Sequence, residues 1–329
     1  MSPPLNAVER VEVQVLVDNV TDNLSTLPKD ITHEWAYLLR GGFLKEIAGE
    51  HICCACHGLS LIITAKSGDT THTVLFDSGP EGYAVIRNGA RLYVDFGAIE
   101  AIVLSHGHWD HAGGMLAALD LIRKSNGGRE VPFYAHPEMF RKRAVQRPGG
   151  MLVPYKQIPD PLTLIKNGAG VISSAAEQFF QSDMFYASGE IPRVTPYETG
   201  YAGHVRLAED GKTWEPDPWI MDERFLAVNV KDKGVIVFTA CSHAGVVNVL
   251  RHAAEVFDGI PLYAVMGGFH LSGPGMEERI IDTVRDMKEF GLPRIVPGHC
   301  TGWRAVTALV NEFGEDIIVP SAVGRYHVF

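Results

Sequence analysis

"SHGHWDHAGG", residues 105–114, brings four side chains of metal-ligating type into six consecutive positions: His106, His108, Asp110 and His111. The apolar run before it joins it as "IEAIVLSHGH" (99–108), which reads as a strand. Strand side chains repeat every second residue, so a strand continued to its end would set His106 and His108 on one side. The turn that follows can aim Asp110 and His111 at a neighbouring point, and Gly113 and Gly114 let the backbone fold close to it. Imidazoles with one carboxylate suit Zn, Fe or Mn, and three or four protein ligands per ion leave room for water. A single histidine in a chain is usually an ordinary core or surface residue. Four ligand types in this pattern are not explained that way.

Working outward, "VEVQVLV" (11–17), "LSLIITA" (59–65) and "HTVLFDSG" (72–79) read as earlier strands separated by Gly- and Asp-containing turns. "AGGMLAALDLIRKSNGG" reads as a helix stopped by glycines. In the second half "RFLAVNV", "GVIVFTA", "PLYAVMGG" and "PRIVPG" alternate with helices near 244–257, 276–290 and 302–313, the pattern of an α/β layered fold. Residues 141–220 differ: they carry Pro, Gly and isolated aromatics (Tyr155, Tyr186, Tyr197, Tyr201, Trp214, Trp219) with little periodicity. They are expected to be an irregular insertion, a lid, within one domain spanning 1–329.

A chain of 329 residues, 46% of them hydrophobic, can bury a large core. Its net charge of −10 argues against nucleic-acid and anionic-membrane surfaces, which need clustered Lys and Arg. The expected partner is a small molecule, an anionic one included. Homo-oligomer formation is left open. No secretory signal is visible, and no apolar run approaches the ~20 residues that cross a bilayer. Five cysteines, three of them crowded at Cys53, Cys54 and Cys56, do not make a disulfide framework, so a reducing cytoplasm is expected. That crowded trio reads as small buried side chains rather than a metal site.

"HGHWDHAGG" resembles the His-x-His-x-Asp-His signature of the metallo-β-lactamase superfamily. The resemblance implies an αββα sandwich with a one- or two-metal site along the edge of the sheets. "LFDSG" is similar to the superfamily's early Asp motif, which makes Asp77 a candidate for orienting a ligand. "HGLS" (57–60), "SGEIPR" (188–193), "CSHAGVVN" (241–248), "GGFHL" (267–271) and "GHCTG" (298–302) together resemble one branch. It groups metal-dependent hydrolases with the archaeal dihydropterin–ribofuranosylaminobenzene 5′-phosphate synthase.

Three later strands end in histidine: His243, His270 and His299. Sites gather at strand termini in layered α/β folds. The resemblance implies that His299 joins Asp110 and His111 on a second metal. Many relatives place a bridging Asp where this chain has Thr-Ala-Cys-Ser-His. Either Cys241 replaces it as a thiolate, or His243 reaches the metal; His243 is the preferred third ligand of the first metal, with His106 and His108. His204 is the only candidate for the family's middle His motif. Asp110, His270 and Cys241 are the expected catalytic groups, with His270 either a ligand or a proton donor to the leaving group. Arg193 and Glu190 of "GEIPR" are the expected substrate-binding pair. His33, His51, His72, His136, His252 and His327 are assigned to structure.

The resulting expectation is a metal-dependent hydrolase with two divalent ions, zinc first and iron or manganese as alternatives. A metal-bound hydroxide would act on a small ester, lactone or phosphoester. A nucleophilic Ser242 or Cys241 is less economical, because a metal lowers the pKa of bound water from ~16 to ~7. Two alternatives stand beside it: a synthase-type condensation of a dihydropterin with a phosphoribosyl-aromatic, and a non-catalytic binding module.

Overall fold

The strand "GVIVFT", Gly234–Thr239, is buried throughout. Val235 and Val237 pack with one apolar cluster and Ile236 and Phe238 with another, so its two faces look into two different cores. An apolar run without polar alternation is what a strand covered on both sides requires. This computed structural model, which describes residues 5–44 and 46–329, places that strand in the second of two facing sheets.

The first sheet runs Ile31–Thr32, Tyr326–Val328, Arg10–Val17, Ser60–Ser67, Thr70–Phe76, Ile99–Val103, Val131–Ala135 and Ala169–Ser173 in spatial order. The second runs Gln178–Phe180, Phe185–Ala187, Leu226–Val230, Gly234–Thr239, Leu262–Gly268 and Arg294–Gly298. Between them Val13, Ile63 and Phe76 meet Phe185, Val228, Phe238 and Met266 in a closed apolar layer. Burial of side chains of this size contributes about 1.5–3 kcal/mol each. Helices Gly82–Arg91 and Met115–Ser125 cover the outside of the first sheet through Val85, Leu119 and Ile122. Val246–Val256, Ile280–Met287 and Trp303–Phe313 cover the second through Val249, Leu250, Val284 and Leu309. The layers are therefore helix, sheet, sheet, helix, the αββα arrangement expected.

Two expectations are corrected. The strand leading to the histidines ends at Val103, not at 108, so strand alternation does not orient His106 and His108. The stretch 141–220 is not one insertion. Ala169–Ser173 is an edge of the first sheet, and Gln178–Phe180 with Phe185–Ala187 an edge of the second. Tyr186 is fully buried core rather than lid. Only Arg143–Gln146, Leu152–Pro154, His204–Leu207 and Trp214–Pro216 form a separate small sheet. Strands of three to five residues are too short to show a period in sequence.

The topology gathers chemistry at one edge. Gly234–Thr239, Leu262–Gly268 and Arg294–Gly298 are parallel neighbours, so the residues after them emerge together. In the first sheet Thr70–Phe76 and Ile99–Val103 are also parallel, which brings Asp77 beside the 105–111 loop. Gly113 lets that loop close: a Cβ there would lie 1.8 Å from the Pro80 carbonyl oxygen. Gly113→Ala is expected to lower stability by roughly 1–3 kcal/mol, the usual cost of overpacking. Urea unfolding measures this, and an unchanged midpoint would show that the loop has slack.

Candidate metal centre

Two buried carboxylates pull the 105–111 loop off its sheet. Asp77, fully buried and in the left-handed region at φ 59°, accepts the Ser105 N–H at Oδ1 (2.8 Å). Its Oδ2 accepts from Ser105 Oγ and from His111 Nδ1, both at 2.7 Å. Asp222 Oδ2 accepts the Gly107 N–H at 2.8 Å, while its other oxygen pairs with Arg143, which also holds Asp217. These bonds replace the sheet ladder after Val103. They also select tautomers. Ser105 gives its one proton to Asp77, so at 2.9 Å it accepts from His106 Nδ1, leaving His106 Nε2 bare. His111 likewise donates from Nδ1, which turns its Nε2 toward the cluster.

These nitrogens converge with others. His106 Nε2 lies 3.1 Å from His108 Nδ1 and 3.1 Å from His243 Nε2. Tetrahedral zinc with nitrogens at about 2.0–2.1 Å has ligand edges of roughly 3.3–3.4 Å, so the trio stands close to ligation spacing. Beside it, Asp110 Oδ2 lies 3.7 Å from His111 Nε2 and 3.4 Å from His299 Nε2. Cys241 Sγ is 3.4 Å from His111 Nε2 and 3.3 Å from Cys300 Sγ. Lone pairs turned toward shared points in a buried setting fit divalent cations. The first set is all nitrogen; the second is nitrogen and oxygen with sulfur at its side.

Electrostatics agree with that use. Burial holds the His106, His108 and His243 imidazoles well below their ordinary range, so each is neutral at neutral pH. Burial would raise the Asp110 carboxyl, but His111 and His299 outweigh it and keep the group ionised. Burial lowers His299, yet Cys300 and Asp110 push it up to about 9, so without an ion it is an imidazolium. Burial and the neighbouring Cys300 push the Cys241 thiol up. Against its own burial, Cys300 is drawn down by the Cys241 hydrogen bond and by His299, and carries the pair's charge.

The structure thus brings together His106, His108 and His243, and next to them Asp110, His111, His299 and Cys241. His270 stands behind His243, ring centroids 4.4 Å apart, and its buried Nδ1 has no hydrogen-bond partner among the described residues. His204 packs against both His108 (5.1 Å) and His243 (5.2 Å), and burial lowers it to about 3. Ser242 gives its hydrogen to the Gly268 carbonyl (2.8 Å), which removes it as a nucleophile partnered by His243. Cys53, Cys54 and Cys56 take no part in the cluster. Arg193 is corrected. Arg193 donates to the carbonyls of Ile191, Trp219 (2.7 Å) and Ile220 (3.1 Å), so both its terminal nitrogens are spent on backbone. Glu190 faces His136 at 3.3 Å.

Sequence reasoning missed several neighbours. His57 Nε2 is 3.6 Å from Asp110 Oδ2, and "HGLS" was its only signal. Glu223 accepts the N–H groups of His243 (2.8 Å) and Ala244 (2.7 Å), fixing the loop that carries His243. Tyr155, next after the small-sheet strand Leu152–Pro154 and already among the aromatics singled out in the sequence, places its ring 5.2 Å from His108.

A two-sheet sandwich between helices, with histidines and an aspartate where parallel strands end, defines the metallo-β-lactamase class. The chain belongs to the metallo-beta-lactamase superfamily, whose sequence profile matches residues 55–175. Over 265 residues it is 31% identical to a Methanocaldococcus jannaschii protein, 7,8-dihydropterin-6-methyl-4-(beta-D-ribofuranosyl)-aminobenzene-5'-phosphate synthase, covering 79% of this chain and 86% of that one. An uncharacterized protein of the same organism is 29% identical over 266 residues, 79% of this chain and 90% of its own. Among solved structures, Tm1679, a metal-dependent hydrolase of the beta-lactamase superfamily, shares the fold at TM-score 0.68 and 22% identity, over 96% of this chain and 98% of that one.

Asp77→Asn is expected to weaken zinc binding about 10–100-fold without unfolding the protein, as loss of a ligand's orienting partner does. Competition with a chromogenic chelator reads this, and unchanged affinity would remove Asp77 from the site. The raised His299 adds a pH dependence. Its imidazolium stabilises the metal-free fold fully below pH 6.5, and that contribution is lost as pH rises through about 9. A divalent ion ligated by His299 would have to displace that proton, so its binding is expected to tighten toward about pH 9. Calorimetry in two buffers near pH 7.5 should find about one proton released from His299.

Proposed function

We propose that the protein is a metal-dependent hydrolase of a small ester, lactone or phosphoester, built for two divalent ions with zinc as the first candidate. The observation that carries this reading is the convergence of His106, His108 and His243 nitrogens at 3.1 Å beside the Asp110–His111–His299 set. Bound there, such ions would polarise a carbonyl or phosphoryl oxygen and acidify water from a pKa of ~16 toward ~7. His106, His108 and His243 would hold one ion, and Asp110, His111 and His299 the other, with Cys241 at the boundary.

The rest is done by this chain's side chains. Ionised Asp110 presents Oδ2 among His57, His111 and His299, placed to accept a hydrogen from an attacking water. His270 keeps Nδ1 uncommitted and is the group placed to protonate a leaving oxygen. The centre is buried, while His57 exposes 60% of its side chain and Trp109 and Tyr155 are half-buried, so a small substrate enters past these three. The acidic chain favours a small molecule over nucleic acid.

A second reading has its own support. The 31% identity to the M. jannaschii synthase favours a condensation of a dihydropterin with a phosphoribosyl-aromatic on the same centre. The retained donor set speaks against a binding module without activity.

Elemental analysis of the purified protein should find about two ions per chain. His108→Ala should lose one of them and lower turnover at least ~10²-fold. A panel of esters, lactones and phosphoesters run beside the condensation pair separates the readings. Metal-free, folded protein with full turnover would sink both.

A further inference from the structure

Asn19 follows the strand Arg10–Val17, with its backbone N–H held by Asp18 Oδ1 at 2.6 Å. Its side-chain Oδ1 is 3.0 Å from the Gly58 N–H, and its Nδ2 is 3.1 Å from the His299 carbonyl oxygen. A backbone N–H only donates and a carbonyl only accepts, so these two contacts orient the amide without reference to any imidazole. Two further contacts then have a fixed sense. Oδ1 lies 3.0 Å from His299 Nδ1, which must donate. Nδ2 lies 3.2 Å from His57 Nδ1, which must accept. Both lone pairs of Oδ1 and both hydrogens of Nδ2 are thereby used.

A neutral imidazole carries one hydrogen, so the far nitrogens take opposite states. With an ion bound and its second proton displaced, His299 would present a bare Nε2, whereas His57 carries an Nε2–H; the two atoms lie 3.4 and 3.6 Å from the same Asp110 Oδ2. We propose that Asn19 assigns these opposite tautomers, making His299 a ligand and His57 a hydrogen-bond donor to an anionic substrate oxygen. The inference rests on the metal-centre reading above. By distance alone His57, Asp110 and His299 form a ligand trio. That use needs a bare His57 Nε2, which the bond from Asn19 denies. This is a choice of tautomer at fixed charge. His57 stands at the mouth, stacked on Trp109 with ring centroids 5.9 Å apart, where a carboxylate or phosphate oxygen entering the centre meets it. His57 is thus a substrate-contacting donor and Asn19 a positioning residue.

Nitrogen–proton correlation spectra of the zinc-loaded protein test the assignment. The expected spectrum has His57 protonated at Nε2 and His299 protonated at Nδ1 with a metal-shifted Nε2. Asn19→Asp puts an acceptor opposite His57 Nδ1 and should move the His57 proton there, a change that loss of structural support alone would not produce. Inorganic phosphate should shift the His57 Nε2–H and bind about tenfold more weakly to His57→Ala, with His57→Gln restoring part of the loss and both variants keeping the wild-type zinc content. Loss of an ion in His57→Ala, an Nδ1 proton on wild-type His57, or equal phosphate affinity in all three proteins would overturn the proposal. A wild type that takes up no zinc would overturn this inference and the metal-centre reading together, whereas zinc-loaded protein with the opposite His57 tautomer would overturn this one alone.

Discussion

The buried carboxylate of Asp77 is the constraint on which the centre depends. Its three hydrogen bonds end the Ile99–Val103 strand, fix Ser105 and aim His111. Through Ser105 the same carboxylate decides which nitrogen of His106 is bare. A carboxyl group this deep is costly without hydrogen bonds, and here it accepts three. Its position follows from the pairing of Thr70–Phe76 with Ile99–Val103, so sheet register and metal chemistry are linked through one side chain.

The second sheet supplies the other half by parallel geometry. Cys241, His243, His270 and His299 leave adjacent parallel strands at the same edge. The chain must turn sharply there. Asp77, Ser242, His270 and His299 all sit in the left-handed region, a conformation costing non-glycine residues of order 1–3 kcal/mol each. The doubly covered strands behind them hold these turns in place. Burial keeps the first three histidines neutral and ready to bind, while in the metal-free state the imidazolium of His299 lies between the anionic Asp110 and Cys300.

Much of this was legible in sequence, and the failures share a physical cause. The long apolar strands and the amphipathic helices were readable because burial of one or both faces imposes a period. Residues 104–108 were misread as strand because the partners that detach them, Asp77 and Asp222, are distant in sequence. Short edge strands in 141–220 carry no period. Arg193 read as a free cation because the backbone carbonyls of Trp219 and Ile220 that occupy it leave no trace in composition.

Sequence alone determined the layered α/β class, the donor-rich motif at 106–111 and the three strand-end histidines. Ligand type and spacing are local, and apolar periodicity is a direct imprint of burial. Only the tertiary structure decided which atoms face one another: His243 with His106, Cys241 with His111 and Cys300, and His57 with Asp110. It also decided tautomers. A histidine's free nitrogen depends on what its other nitrogen touches, and for His57 and His299 that partner is Asn19, brought there from the end of another strand.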